Sequence, residues 1–271
     1  MDLHAPVVGR LRGAASSRSL SHVRYDTFGV GYTSVRREDP RLAQRIRAAL
    51  GDARTVLNVG AGAGSYEPAD LEVTAVEPSA VMRAQRPSGA APVVDARAES
   101  LPFADDSFDA AMAVLSDHHW EDHARGLAEL RRVARHRVVV FTWERKSLTD
   151  SWLVRDYLPG FARLVPPGYS LEQMLAALGG GRIEPVAIPH DCRDGFLHAY
   201  WRRPRAYLDP RVRAGISAFR LLEPDEVADA VARLEADLDS GKWERRNRAL
   251  LELEELDLGY RIVVTELTTG I

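Results

Sequence analysis

Between residues 55 and 143, short and almost uninterrupted apolar runs alternate with a stretch of helical periodicity. Thr55-Val-Leu-Asn-Val59, Leu71-Glu-Val-Thr-Ala-Val76, Ala110-Ala-Met-Ala-Val-Leu115 and Arg137-Val-Val-Val-Phe-Thr-Trp143 each have the length and β-branched content of a buried strand. Leu127, Leu130 and Val133 recur at helical spacing between the last two. Strands that are apolar on both faces and alternate with helices predict a parallel sheet covered on both sides, an α/β fold. Ahead of them, Asp39-Pro40 followed by Leu42, Ile46, Leu50 and Gly51 predicts a helix. Asp caps it, Pro suits the first helical position, and Gly ends it.

The second half has a different rhythm. Ser170-Leu-Glu-Gln173 is a capping box opening a helix that Gly179-Gly-Gly181 closes. Ile183 to Ile188 reads as a strand. A helix is expected from Glu223-Pro224 through Val227, Val231, Leu234 and Leu238 to Gly241, and another from Trp243 to Leu256. Arg261-Ile-Val-Val-Thr-Glu-Leu267 alternates like a half-exposed edge strand. No internal repeat or low-complexity tract interrupts this order.

Composition narrows the classes. With 271 residues, 45% hydrophobic and 28% charged, the chain is neither disordered nor fibrous. No apolar run approaches the ~20 residues of a membrane span, so no membrane partner is expected. Cys192 is the only cysteine, which excludes an intrachain disulfide and fits a cytoplasmic location. A net charge of −3 disfavours nucleic acid as partner. Of the 36 basic residues only Lys146 and Lys242 are lysines, the mark of a high-G+C genome. The first 24 residues carry Arg and Ser with Asp2 as sole acid and lack a secretory apolar stretch, so a mobile arm is expected.

The sharpest feature is Gly60-Ala-Gly62-Ala-Gly64 directly after the first strand. Glycines serve where backbone must turn tightly and approach a ligand without a Cβ in the way. In open α/β sheets, ligands bind at the carboxyl ends of the strands. At the end of the second strand stands Glu77, followed by Pro78; a carboxylate there can accept both hydroxyl protons of a ribose. A dinucleotide-type G-x-G-x-x-G would need glycine where Ser65 stands, which tilts the ligand away from NAD.

Four ordered motifs carry a resemblance: Val56-Leu-Asn-Val-Gly-Ala-Gly-Ala-Gly64, Val76-Glu-Pro78, Ala98-Glu-Ser-Leu-Pro-Phe103 and Ser107-Phe-Asp109. Together they resemble the class I S-adenosylmethionine-dependent methyltransferases. The nearest subgroup is the ubiquinone/menaquinone-biosynthesis kind, methyltransferase type 11. The resemblance spans about residues 39–143. It implies a Rossmann-like, doubly wound, seven-stranded sheet with an antiparallel last strand, and S-adenosylmethionine as methyl donor, leaving S-adenosylhomocysteine. It further implies that Gly60, Gly62 and Gly64 pass under the methionine and ribose, that Glu77 holds the ribose hydroxyls, and that Arg97, Ala98 and Glu99 border the adenine. Leu115 would lie near the sulfonium. In related enzymes an N-terminal segment folds over the cofactor; here Tyr32 and Arg36 would do so, the guanidinium pairing with the methionine carboxylate. Three positions depart from the family pattern. Asn58 stands where a carboxylate is usual, Arg97 where Asp is frequent (Asp95 being the substitute), and Ser65 to Asp70, with Pro68, is too short for a first crossover helix.

Methyl transfer from a sulfonium is an in-line displacement, and a base is needed only when the acceptor must lose a proton. Ser116-Asp117-His118-His119-Trp120 follows the fourth strand, where the family places its active-site edge. His118 and His119 are the candidate bases, inseparable by sequence, and Trp120 would flank the substrate. His119 and His123 have helical metal-pair spacing but no third ligand, so no metal is expected. Tyr25, His190, Tyr200 and Trp201 are further substrate candidates, the last three within a mainly helical insertion at about 189–260. The expected layout is an arm and lid at 1–38 and one methyltransferase domain at 39–271, its cofactor core at 39–145. The leading expectation is a cytoplasmic methyltransferase acting on a small, aromatic or heterocyclic metabolite. An RNA or other macromolecule methyltransferase and a non-catalytic cofactor-binding regulator are the alternatives. A homodimer is compatible with the sequence.

Overall fold

The computed structural model describes residues 36–165 and 170–267. Seven strands form one sheet: β1 (Thr55–Val59), β2 (Glu72–Val76), β3 (Val93–Val94), β4 (Phe108–Val114), β5 (Ala134–Trp143), β6 (Arg182–Pro185) and, after a separate two-stranded pair β7 (Ile188–Pro189) and β8 (Glu255–Leu256), β9 (Tyr260–Glu266). Their order is β3-β2-β1-β4-β5-β9-β6. β1 to β5 run parallel, while β9 is antiparallel to both neighbours. The doubly wound sheet with its antiparallel last strand is therefore present.

Alternation along the strands divides the interior in two. Leu57, Val59, Ala111, Val138, Val140 and Val263 face α-helices formed by His123–Val133 and Leu171–Leu178. Val56, Ala110, Met112, Val139, Ile262 and Val264 face the helix at Pro40–Ala49 and the insertion between β6 and β9. That insertion is mainly helical, with Pro224–Asp239 its longest helix. The crossover from β1 to β2 contains no helix, as the short Pro68 segment requires.

Three sequence expectations need correction. The last strand is not an edge strand: β9 lies between β5 and β6, and β6 forms the edge. Thr265 tolerates full burial there because its hydroxyl donates to the Gly180 carbonyl at 2.7 Å. The helix expected from Trp243 to Leu256 stops at Arg246, where the Asn247 side chain donates to the Trp243 carbonyl at 2.9 Å and diverts the backbone. Ile183 to Ile188 is not one strand but two, β6 joining the large sheet and β7 leaving it for β8.

Asp39 ties the first helix to the insertion. Its carboxylate accepts the Arg41 N–H at 3.0 Å as an N-cap and the Arg193 N–H at 3.0 Å across the fold. Burial opposes its charge, but hydrogen bonds from the Arg41 side chain and these two amides outweigh that and bring its pKa to about 2. A depressed carboxyl pKa contributes stability above the unfolded value, and this is lost as pH falls through the folded one. Wild-type protein should accordingly lose roughly 2 kcal/mol between about pH 4 and pH 2 from this residue. Asp39→Asn should lack that component in urea melts across the same range; an unchanged acid slope would refute the assignment.

Candidate functional site

The parallel register aligns the carboxyl ends of β1, β2 and β4, and the chain turns away from each at a different residue. Gly60, Gly62 and Gly64 follow β1 with φ of 72°, 53° and 93°, a region open to glycine. A Cβ at Gly60 would lie 2.6 Å from Ser116 Cβ, and one at Gly62 3.3 Å from Met82 Cε. Glu77, buried at the end of β2, accepts the Gly62 N–H on Oε2 at 2.8 Å and the Ser79 N–H on Oε1 at 2.9 Å. Burial pushes its carboxyl above the ordinary glutamate range, and those two amides partly offset this. Leu115 directly follows β4 in the left-handed region at φ 49°, its N–H donating to Phe141 O at 2.8 Å.

These ends open on a cavity of about 590 Å³. Asn58, Gly60, Gly62, Glu77 and Pro78 line one part of it; Arg97, Ala98 and Glu99 line another, and Arg36, Leu115, His119 and Trp120 close it. Most of the expected cofactor residues thus converge. Gly64 does not: it faces the Arg86–Glu67 ion pair, where a Cβ would sit 3.3 Å from Arg86 Nη1. Asp95 stands on the wall paired to Arg83 at 2.8 Å, and Arg97 is paired to Glu121 at 2.8 Å. Asn58 Oδ1 is buried beside the glycine loop, an acceptor with no hydrogen-bond partner among the described residues.

A second, mostly apolar cavity adjoins the first. Arg36, Leu115 and His119 belong to both walls. The rest of its lining comes from His118, from Trp143 at the end of β5, from Leu148 and Phe161, and from the insertion and β9 through Phe196, Leu197, Ile216, Ser217, Ala218 and Tyr260. Arg36 reaches there by a bidentate contact with buried Asp194, at 2.6 and 3.3 Å, and Tyr66 donates its hydroxyl to the same carboxylate at 3.0 Å. A ligand carboxylate meeting Arg36 would therefore share the guanidinium with Asp194.

Several substrate candidates stand elsewhere. Trp201 is core, its indole N–H donating to Ile188 O at 3.0 Å. His190 faces Glu254 at 3.2 Å beside the β7–β8 pair, and Tyr200 stacks with Tyr207 and Arg203; none of the three lines either cavity. Trp120 walls the larger cavity rather than the apolar one. Tyr25 and Tyr32 lie outside the described residues. His119 and His123 have no third ligand among the described residues. Cys192 is buried, and burial pushes its thiol up to about 12. Its alkylation by iodoacetamide should be slow in the native protein and rapid in denaturant; fast native labelling would show the segment to be open.

Comparison with known proteins agrees with this geometry. Residues 57–142 match the family described as a methyltransferase domain. Malonyl-(acyl-carrier protein) O-methyltransferase of Pseudescherichia vulneris is 33% identical over 162 residues, which are 55% of this chain and 64% of that enzyme's length. A crystal structure of a protein assigned to methyl transfer in an antibiotic-biosynthesis pathway of Anabaena variabilis is 33% identical, covering 84% of this chain and 98% of that one, with a TM-score of 0.79. The (4+2)-cyclase SpnF shares the fold at 18% identity, covering 95% of this chain and 99% of that one, with a TM-score of 0.53.

Proposed function

The chain belongs to the class I S-adenosylmethionine-dependent methyltransferases, and on that premise we propose that it methylates a small, largely apolar metabolite whose reacting end enters the cavity adjoining the one beside the glycine loop. The observation that carries the reading is the pair of adjoining cavities meeting at Leu115 and His119. One has the carboxylate, glycines and orphaned acceptor suited to the donor. The other, about 60 Å³, has aromatic walls suited to the reacting end of an organic acceptor whose remainder extends beyond it.

The chain's groups fit S-adenosylmethionine at each end. Glu77, pinned by two amides, would accept from the ribose hydroxyls. Asn58 Oδ1 would accept from the α-ammonium, satisfying its buried lone pair. Ala98 and its neighbours would border the adenine. When bound, the donor supplies an activated methyl group. The protein's part is to hold both reactants in line and exclude water, for which proximity contributes much of the rate.

Methylation of RNA is the weaker reading, because the net charge is negative and arginines of the basic run already have partners within this chain. Arg202 reaches Leu253 O and Glu254, Arg205 pairs with Asp239, Arg211 with Asp209, and Arg213 donates to Tyr207 O. A non-catalytic cofactor-binding role would leave the second cavity without a purpose. Among the described residues no helix is long and apolar enough to cross a membrane, and a cytoplasmic location remains our reading from the lone cysteine.

The test is incubation of purified protein and methyl-labelled donor with a cell extract, followed by mass spectrometry. Labelled small molecules would support the reading. Label only in RNA or protein would overturn it.

A further inference from the structure

Sequence alone left His118 and His119 equivalent; their surroundings separate them. His118 lines the apolar acceptor cavity and not the donor cavity, whereas His119 lies at the junction and lines both. Behind His118 stands Asp117, whose side chain is wholly buried. Its Oδ2 accepts from Thr142 Oγ1 at 3.1 Å and faces His123 Nε2 at 3.3 Å. Its Oδ1 lies 3.8 Å from His118 Nδ1, a buried nitrogen with no hydrogen-bond partner among the described residues.

We propose that His118, oriented by Asp117, is the base that takes the acceptor's proton, and that the acceptor is accordingly a phenolic or enolic hydroxyl on an apolar body. This rests on the methyltransferase reading above.

The argument begins with cost. A buried carboxylate is expensive unless its neighbours complete it. Burial opposes the charge of Asp117, yet the histidines on either side hold its carboxyl below the usual range, so it is ionised at neutral pH. An ionised carboxylate only accepts hydrogen bonds, so the nitrogen facing it is best satisfied as Nδ1–H. In neutral imidazole that tautomer leaves the lone pair on Nε2, on the opposite side of the ring. The 3.8 Å gap exceeds a hydrogen bond, but such contacts are often long before substrate binds and tighten afterwards. Trp143 holds the ring from β5, with centroids 5.3 Å apart, and His119 packs on it at 3.9 Å.

Among the described residues, the other polar groups facing the same cavity are Arg36, His119, Ser217 and Tyr260. Arg36 is matched by Asp194, so its charge is locally balanced. A cationic ammonium acceptor is disfavoured by the Phe161, Phe196 and Ile216 walls. A carboxylate acceptor is already ionised and would give a base nothing to remove. A hydroxyl with pKa near ~10 has a proton that must leave before or as the bond forms. In the step, the O–H proton passes to His118 Nε2 and the oxygen pair forms the new O–C bond. The pair of the broken C–S bond stays on sulfur, and the imidazolium, held by Asp117, then releases its proton to solvent.

Asp117 is a positioning residue, and its role is read without turnover. In ligand-free, nitrogen-15-histidine-labelled protein, long-range proton–nitrogen correlation should show His118 protonated at Nδ1 and bare at Nε2. Asp117→Asn should shift that tautomer balance toward Nε2–H. A wild-type Nε2–H tautomer, or one indifferent to Asp117→Asn, overturns the proposal even if the protein transfers methyl groups. His118→Gln should bind S-adenosylhomocysteine as wild type does. Failure of the wild type to bind it would sink the methyltransferase reading, with the tautomer still judged separately.

With acceptor from cell extract, His118→Gln should lower kcat by about 10²–10⁴-fold at unchanged donor KM, His119→Gln far less. The product should be an alkali-stable methyl ether; an alkali-labile ester would refute the substrate class. If His118→Gln does not fold, the wild-type tautomer and the product's alkali stability still decide.

Discussion

Replacing Glu77 with Gln is expected to weaken binding of S-adenosylhomocysteine by about 100-fold or more, measured by calorimetry. The carboxylate is positioned by Gly62 N–H at 2.8 Å and Ser79 N–H at 2.9 Å, one on each oxygen. Each oxygen keeps a lone pair free for a ribose hydroxyl. Hydrogen bonds to a charged group contribute about 1.5–3 kcal/mol each, and about 1.4 kcal/mol is tenfold in affinity. Two such bonds reach the stated loss. Glutamine retains the volume but turns an NH₂ toward one of the two amide donors, so it also forfeits the local positioning. The wild-type pH dependence supplies a second readout. Because burial raises the Glu77 carboxyl, affinity should start to fall at a pH above the ordinary glutamate range as the solution is acidified. If Glu77→Gln bound within a few-fold of wild type, the ribose would have to be held elsewhere.

The glycine-loop cavity was legible in the sequence because each of its parts is local and chemically demanding. Gly60 and Gly62 need positive φ, Glu77 ends a strand, and both requirements mark single positions. The adjoining apolar cavity was not. Its wall gathers Trp143, Leu148, Phe161, Phe196, Ile216 and Tyr260 from segments far apart in the chain, and no spacing connects them. Nor does sequence tell Phe196, which faces the cavity, from Trp201 five residues later, which is fully buried in the core. Both are aromatic residues in the same insertion. Asp117 was visible beside the histidines, but its burial and its contact with Thr142 emerge only when β4 and β5 are paired. The N-cap of Asp39 was readable; its reach to Arg193, 154 residues away, was not. Local signals therefore marked the glycine-loop cavity. Long-range packing, invisible to any window of residues, shaped the apolar cavity beside it.

Gly126→Ala should cost stability and cofactor affinity together, although alanine is the better helix former. Gly126 lies inside the helix His123–Val133 with ordinary helical backbone, so the substitution alone favours the helix by up to about 1 kcal/mol. Against this, an added Cβ would sit 2.3 Å from Trp120 Cε3 and 2.8 Å from Cζ3. The indole is buried and walls the donor cavity, so it has little freedom to retreat except into that cavity. Overpacking of this kind typically costs 1–3 kcal/mol, which exceeds the helix gain. A net loss of about 1–2 kcal/mol in denaturant melts is expected, with weaker S-adenosylhomocysteine binding because the displaced ring intrudes where the ligand belongs. The coupling gives a sharper check than either loss. In Trp120→Leu protein the same Gly126→Ala change should be neutral or stabilising, since only helix propensity remains. Equal costs in both backgrounds would mean that the glycine is required for some reason other than room for the indole.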